Sequence, residues 1–262
     1  MGNITADREM EALLLSVVIP AYNEEDNIRR GALQEVADYL SRQEYACELI
    51  VVDDGSQDAT AALAEEAARR WPFVSLRRSE HGGKAHAVTV GVMAARGEYV
   101  FFSDMDQSTP IRFVEEGLRE LGAGSDVVVG SRWLKGASRM GEPPLRALSG
   151  RVFALMVRAL ILPDIRDSQC GFKGFRRDVA RALFSNMMVF GAGPQTATGP
   201  TVTAFDVELL VMAKKRGYRI KEIPVTWRHV ATRRVSLSRD AYRMSRDVAH
   251  VWLNKLRGRY DR

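Results

Sequence analysis

EYVFFSDMDQSTP, residues 98–110, decides how this chain folds. Its apolar run from Tyr99 to Phe102 suits a strand covered on both faces, and the polar residues after it suit the exit of that strand. Asp104 and Asp106 are two apart, so the period of a strand sends both carboxylates to one side while Met105 faces away. The pattern recurs on both flanks of this stretch. LLLSVVIP (13–20), CELIVVDD (47–54), FVSLRRS (73–79) and DVVVGSR (126–132) read as further strands. Between the strands, 26–41, 57–70, 83–95 and 110–121 carry alanine, leucine and charged residues at helical spacing. Such alternation predicts an α/β fold with a mostly parallel sheet, helices on both faces and right-handed crossovers. Ligands of such sheets bind at the carboxyl ends of the strands. Four of the five expected strands end in polar clusters, PAYNEEDN, DDGSQD, DMDQSTP and GSRWLKG, which a parallel sheet gathers on one edge.

The second half reads differently. A helix is expected over 143–161, after which DSQCGFKGFRRD (167–178) turns back across the sheet. GAGPQTATGPT (191–201) reads as a loop or lid. A helix over 205–216, a strand over 218–226 and a helix over 238–257 complete the chain. The division expected is a main domain over 1–235 and a basic amphipathic helix within 236–262. In that helix Leu237, Ala241, Met244, Val248, Val251, Trp252 and Leu256 follow helical spacing, among Arg239, Arg243, Arg246, Lys255, Arg257 and Arg259. Two readings stay open: the helix lies on a membrane surface, or it packs its stripe on the domain.

Composition sets the outer limits. With 262 residues, 46% hydrophobic and 27% charged, the chain is long enough to bury one substantial core. Its two cysteines, Cys47 and Cys170, suggest neither a disulfide framework nor a zinc site, which fits a reducing cytoplasm. No secretory leader and no apolar run long enough to span a bilayer is read, so the expectation is a soluble or peripheral protein. A formal charge of +5 is modest for this length, and no nucleic-acid partner is expected.

Several residues invite chemistry. Two hard carboxylates at a strand end, Asp104 and Asp106, suit Mg²⁺ or Mn²⁺ holding substrate phosphates, although an isolated D-x-D more often only begins a turn. Asp53 and Asp54 precede Gly55, so a carboxylate there can accept from a ribose hydroxyl or a base N–H, while Asp58 caps the next helix. Lys84 in HGGKAHA comes after a glycine pair at a helix start, where backbone N–H groups and an ammonium can meet anionic oxygen. The P-loop spacing is absent, which excludes an ATPase or kinase of that type. His81, His86, His229 and His250 lack metal-ligand spacing. Asp206 in FDVELL is the remaining carboxylate, either a catalytic base or an acid of the helix's first turn.

VVIPAYNEEDNI, LIVVDDGSQDAT, GGKAHAVTVGVMAARGEYVFFSDMDQSTP, GSRW, DSQCGFKGF and FDVELLVMAKKRGYRIKEIPVTW, in this order, resemble glycosyltransferase family 2, in its polyprenyl-phosphate (dolichyl-phosphate) β-glucosyltransferase branch. The resemblance covers roughly residues 13–250 and implies a GT-A fold. It assigns Pro20, Tyr22, Glu24, Asp53 and Asp54 to the donor nucleotide and Lys84 to the edge of that site. Asp104 and Asp106 fall to the metal and diphosphate, with Met105 between them counted in the donor set. Arg132 and Arg146 would face the acceptor phosphate, joined by Arg233 and Arg234, which stand where relatives often carry a Ser-Lys pair. Likewise Ala85 replaces the second glycine of a common G-K-G.

The activity implied is metal-dependent, inverting transfer of a hexose from a nucleotide sugar, glucose from UDP-glucose, to a polyprenyl phosphate at the inner face of a membrane. Asp206 and Arg132 are the catalytic candidates. Three alternatives stay open: a sugar or small-molecule hydroxyl as acceptor, GDP-mannose as donor, or a non-catalytic nucleotide-sugar-binding module.

Overall fold

A computed structural model describes residues 13–191, 203–230 and 237–261, without the side chains of 237–242. Its centre is a seven-stranded sheet in the order β3-β2-β1-β4-β7-β5-β8. β1 (Leu15–Ala21), β2 (Cys47–Asp53), β3 (Val74–Arg78), β4 (Tyr99–Ser103) and β5 (Val127–Ser131) are the five strands expected from the first half. β1 pairs in parallel with both β2 and β4, and β2 with β3. β7 (Phe172–Arg176) lies between β4 and β5 and runs antiparallel to both. The segment expected to turn back across the sheet is therefore one of its strands. β8 (Ile220–Pro224) closes the edge beside β5, and two short strands, β6 (Ser138–Met140) and β9 (Thr226–Arg228), pair separately.

Alternation along the strands builds two cores. On one face Leu15, Val17, Ile19, Val51 and Phe101 meet α2 (Ala32–Leu40), α3 (Thr60–Arg70) and α5 (Val114–Gly122). On the other, Val18, Ile50, Val52 and Phe102 meet α4 (Lys84–Ala94), α7 (Arg177–Phe184) and α8 (Phe205–Lys215). α8 is buried on nearly every side, including Asp206 and Glu208, which fits its apolar run from Leu209 to Ala213.

Local differences from the expected elements have local causes. The helix expected over 26–41 breaks into α1 (Glu25–Arg29) and α2 at Gly31, whose φ of +91° is a left-handed conformation that glycine tolerates. The helix expected from 110 begins as a 3₁₀ turn, Ile111–Phe113, before α5. α6 (Pro144–Leu160) matches the helix expected over 143–161 and starts on a proline in its first turn.

The last helix, α9 (Leu237–Leu256), settles part of its own ambiguity. Val248 and Val251 are buried in the core, and Asp247 accepts from the N–H of Ala204 just before α8. Lys255 Nζ donates to the carbonyl of Ile161 at the end of α6, and the Tyr260 hydroxyl donates to Glu208. One side of the amphipathic stripe thus packs on the domain. Trp252, Leu253 and Leu256 remain exposed. Among the described residues no helix is long and apolar enough to cross a membrane.

Candidate active site

The polar ends of β1, β2 and β4 are joined by side chains that reach across from one loop to the next. After β1, the Asn23 N–H donates to Ser56 Oγ at 3.0 Å, the Glu24 N–H to Thr60 Oγ1 at 2.7 Å, and Asn23 Oδ1 accepts from the Gln57 N–H. Tyr22 stacks on His81 with ring centroids 4.0 Å apart. Pro20 is the penultimate residue of β1, and Glu24 stands at the N-cap of α1 and accepts from Asn27.

Asp53 and Asp54 are both buried at the end of β2. Asp53 accepts from the Ser56 N–H at 3.3 Å. Asp54 accepts from the N–H groups of Gly82 and Gly83, each at 2.8 Å, and lies 2.8 Å from His81 Nδ1. The N–H groups of the glycine pair just before α4 are therefore taken by the protein's own carboxylate. Asp54 thereby shapes the loop that carries Lys84.

Lys84 points from that loop to the end of β4, where its Nζ lies 2.5 Å from Asp104 Oδ1. Burial works against its charge, but Asp104, Asp206 and Asp106 outweigh it and hold the ammonium's pKa above the ordinary lysine value. Asp106 is displaced upward, first by burial and then by the charge of Asp104. A crowded carboxylate pair of this kind gains from a cation. Met105, between them, is 2% exposed, with its side chain packed into the core. Among the described residues no three His, Cys, Asp or Glu side chains form a metal cage. Two carboxylates at a strand end fit an ion that takes its other ligands from a diphosphate and water.

β7 supplies what the sequence reading did not single out. Gly171, just before it, abuts Asp104, and a Cβ there would lie 2.0 Å from Asp104 Oδ2. Lys173, fully buried on β7, donates to Asp206 Oδ1 and to the Cys170 carbonyl. Asp206 sits in the first turn of α8 without capping it. Its charge is matched by Lys173, an arrangement unlike that of a free general base. Lys173 lies in DSQCGFKGF and Asp206 in FDVELL, and only the antiparallel return of β7 brings them together.

Arg132 comes directly after β5. Its backbone N–H, Nε and Nη2 all donate to the Asp167 carboxylate, at 2.9, 2.7 and 2.9 Å. Against the upward effect of burial, the guanidinium holds Asp167 below the usual carboxylate range. Arg132 is thus held in an ion pair with Asp167, with its own side chain 18% exposed. Arg146 lies half-buried in the first turn of α6 and makes no ion pair among the described residues. Arg151, one and a half turns on, stands over the Trp133 ring at 6.0 Å. Arg233 and Arg234 lie outside the described residues, as does most of the expected lid over 191–201.

A parallel sheet whose carboxyl edge carries a D-x-D and an interlocked pair of acidic loops, with an antiparallel return strand beside them, defines a GT-A glycosyltransferase. Residues 16–184 match the family described as glycosyl transferase family 2, and the chain belongs to that family. It is similar to a dolichyl-phosphate beta-glucosyltransferase of Trichomonas vaginalis, 35% identical over 84% of this chain and 66% of that protein. The human dolichyl-phosphate beta-glucosyltransferase is 31% identical over 93% of this chain and 76% of its own length. The chain thus spans about two thirds to three quarters of these relatives. Among solved structures, the Mycobacterium tuberculosis glucosyl-3-phosphoglycerate synthase in complex with Mn²⁺, UDP and glucosyl-3-phosphoglycerate superposes with a TM-score of 0.61, 21% identity and coverage of 93% and 80%. At that identity the likeness is one of fold.

Proposed function

We propose that this glycosyltransferase moves glucose from UDP-glucose to a polyprenyl phosphate, with inversion, while Asp104 and Asp106 hold Mg²⁺ or Mn²⁺ against the donor diphosphate. The names of its relatives support glucose as the sugar and a polyprenyl phosphate as the acceptor. The observation that carries the acceptor reading is the Lys173–Asp206 pair. A neutral hydroxyl must lose a proton to a base as it attacks, and the carboxylate expected for that task is engaged by a buried ammonium. A phosphate monoester, with a second pKa near 6, is already a dianion at pH 7.

In the reaction, a phosphate oxygen of the acceptor forms a bond to the anomeric carbon as the bond from that carbon to the diphosphate breaks on the opposite face. The electron pair leaves with UDP. A divalent ion would supply charge neutralisation of that leaving group. Asp104 and Asp106 would hold such an ion, and Arg132, Arg146, Arg233 and Arg234 would face the acceptor phosphate.

A lipid acceptor also gives a reason for the surface of α6. Leu145, Leu148, Val152 and Leu155 are all more than half exposed, while Phe153, Met156 and Val157 face the core. α6 carries three arginines and no acid, and Trp252, Leu253 and Leu256 of α9 add further exposed apolar side chains. An apolar face with only cationic charge suits an anionic bilayer surface. The deciding assay sets UDP-glucose against GDP-mannose, each with a polyprenyl phosphate and with a sugar hydroxyl acceptor. UDP-glucose with the lipid phosphate should turn over fastest, and preference for either alternative overturns that half of the reading.

A further inference from the structure

The carboxylate pair already has a cation. Lys84 Nζ lies 2.5 Å from Asp104 Oδ1, and the two side chains are 32% and 37% exposed, so this ion pair can open without unpacking the core. Lys84 is held from behind, since the two residues before it donate their backbone N–H groups to Asp54. Asp104 is walled on its other side by Gly171. The second ammonium of the neighbourhood, on Lys173, has no exposure and is committed to Asp206 and a carbonyl, so it is not exchangeable. One partly exposed positive charge therefore occupies the accessible edge of the carboxylate that a divalent ion would need.

We infer that Lys84 is an exchangeable counter-ion: it neutralises Asp104 when no donor is bound, competes with a divalent cation for that carboxylate, and releases it when the donor's diphosphate takes over the ammonium. This rests on the reading of Asp104 and Asp106 as the metal-holding pair. Two like charges compete for one partly desolvated carboxylate, so metal alone binds weakly. A diphosphate adds oxygen ligands for the metal and a new partner for Lys84 together. Metal and nucleotide then bind as a coupled pair, and each must tighten the other by the same factor.

The test is titration of Mn²⁺, by calorimetry and by the electron paramagnetic resonance of free Mn²⁺, into wild type, Lys84→Met and Lys84→Arg, each with and without UDP. In wild type UDP should tighten Mn²⁺ binding by about tenfold or more, within the usual range of coupling between sites. Lys84→Met should bind Mn²⁺ alone about tenfold more tightly than wild type and show a smaller effect of UDP, while Lys84→Arg keeps the wild-type pattern. Equal or weaker Mn²⁺ binding by Lys84→Met without UDP, or an unchanged coupling factor, overturns the inference and leaves the metal assignment standing. Failure of wild type to bind Mn²⁺ even with UDP overturns both. Thermal melting confirms that each variant is folded, and Lys84→Gln takes the place of Lys84→Met if the latter is not.

Discussion

Lys173 Nζ on β7 sits 2.5 Å from Asp206 Oδ1 in the first turn of α8, with side-chain exposures of 0% and 6%. Removing one partner of such a pair leaves a buried charge uncompensated, at a cost of about 3–5 kcal/mol. Lys173→Met should lose stability on that scale in urea unfolding, and Lys173→Met combined with Asp206→Asn should recover much of it. In conditions where Asp206→Asn is folded, its rate loss should stay below the roughly 10²- to 10⁴-fold of a lost general base. Wild type and variant should both slow as pH drops through about 6, where the acceptor phosphate gains a proton. A larger loss, with one ionisation missing from the variant's pH–rate profile, would instead make Asp206 the base for a hydroxyl acceptor.

Asp167 and Arg132 form the second buried pair, and its pH dependence has a definite sign. The folded-state pKa of Asp167 is lowered, so its contribution to stability is present above the ordinary carboxylate pKa and is lost as pH falls through the folded value. Asp167→Asn should therefore destabilise the protein at pH 7 by about 3–5 kcal/mol and narrow its deficit in acid. A deficit that does not change with pH would remove the ion-pair account.

Gly171 is predicted to be intolerant of even one methyl group for a reason tied to the site. In Gly171→Ala the nearest atoms to the new Cβ are those of the Asp104 carboxylate, so metal-dependent donor binding should fall more than about tenfold while thermal stability changes little. Asp106→Asn should also abolish that binding, yet raise the melting temperature of the ligand-free protein, because Asp106's raised pKa marks a charge the fold holds at a cost. Calorimetric titration with UDP-glucose and Mn²⁺, beside thermal melts, checks both. Undiminished affinity in Asp106→Asn and Asp104→Asn would end the metal assignment.

The exposed face of α6 should bind anionic vesicles. Leu148→Glu and Val152→Glu remove apolar area and add repulsion at positions without core contacts, so sedimentation with phosphatidylserine vesicles should fall while melting is unchanged. Binding by wild type should weaken with salt, since exposed charges are screened. Equal sedimentation of wild type and both variants would refute the membrane role of α6.

The amino-acid sequence by itself determined the parallel half of the sheet, its order of strand and helix, and the carboxyl-edge placement of Asp53, Asp54, Asp104, Asp106 and Arg132. Those features come from local periodicity: an apolar run fixes a strand, and the polar residues next along the chain must then lie at that strand's end. Pairings across the fold were not legible, because they depend on which distant segments meet. Nothing local in CGFKGF announces an antiparallel strand between β4 and β5, yet that insertion sets Gly171 against Asp104 and Lys173 against Asp206. The same holds for Arg132, whose ion pair with Asp167, 35 residues along the chain, depends on the fold. For α9 the spacing defined the apolar stripe but not its partner, and only the packing of Val248 and Val251 against the domain divided that stripe into a buried and an exposed part. A charged side chain's role depends on the charge that faces it in space, and that neighbour is supplied by tertiary structure.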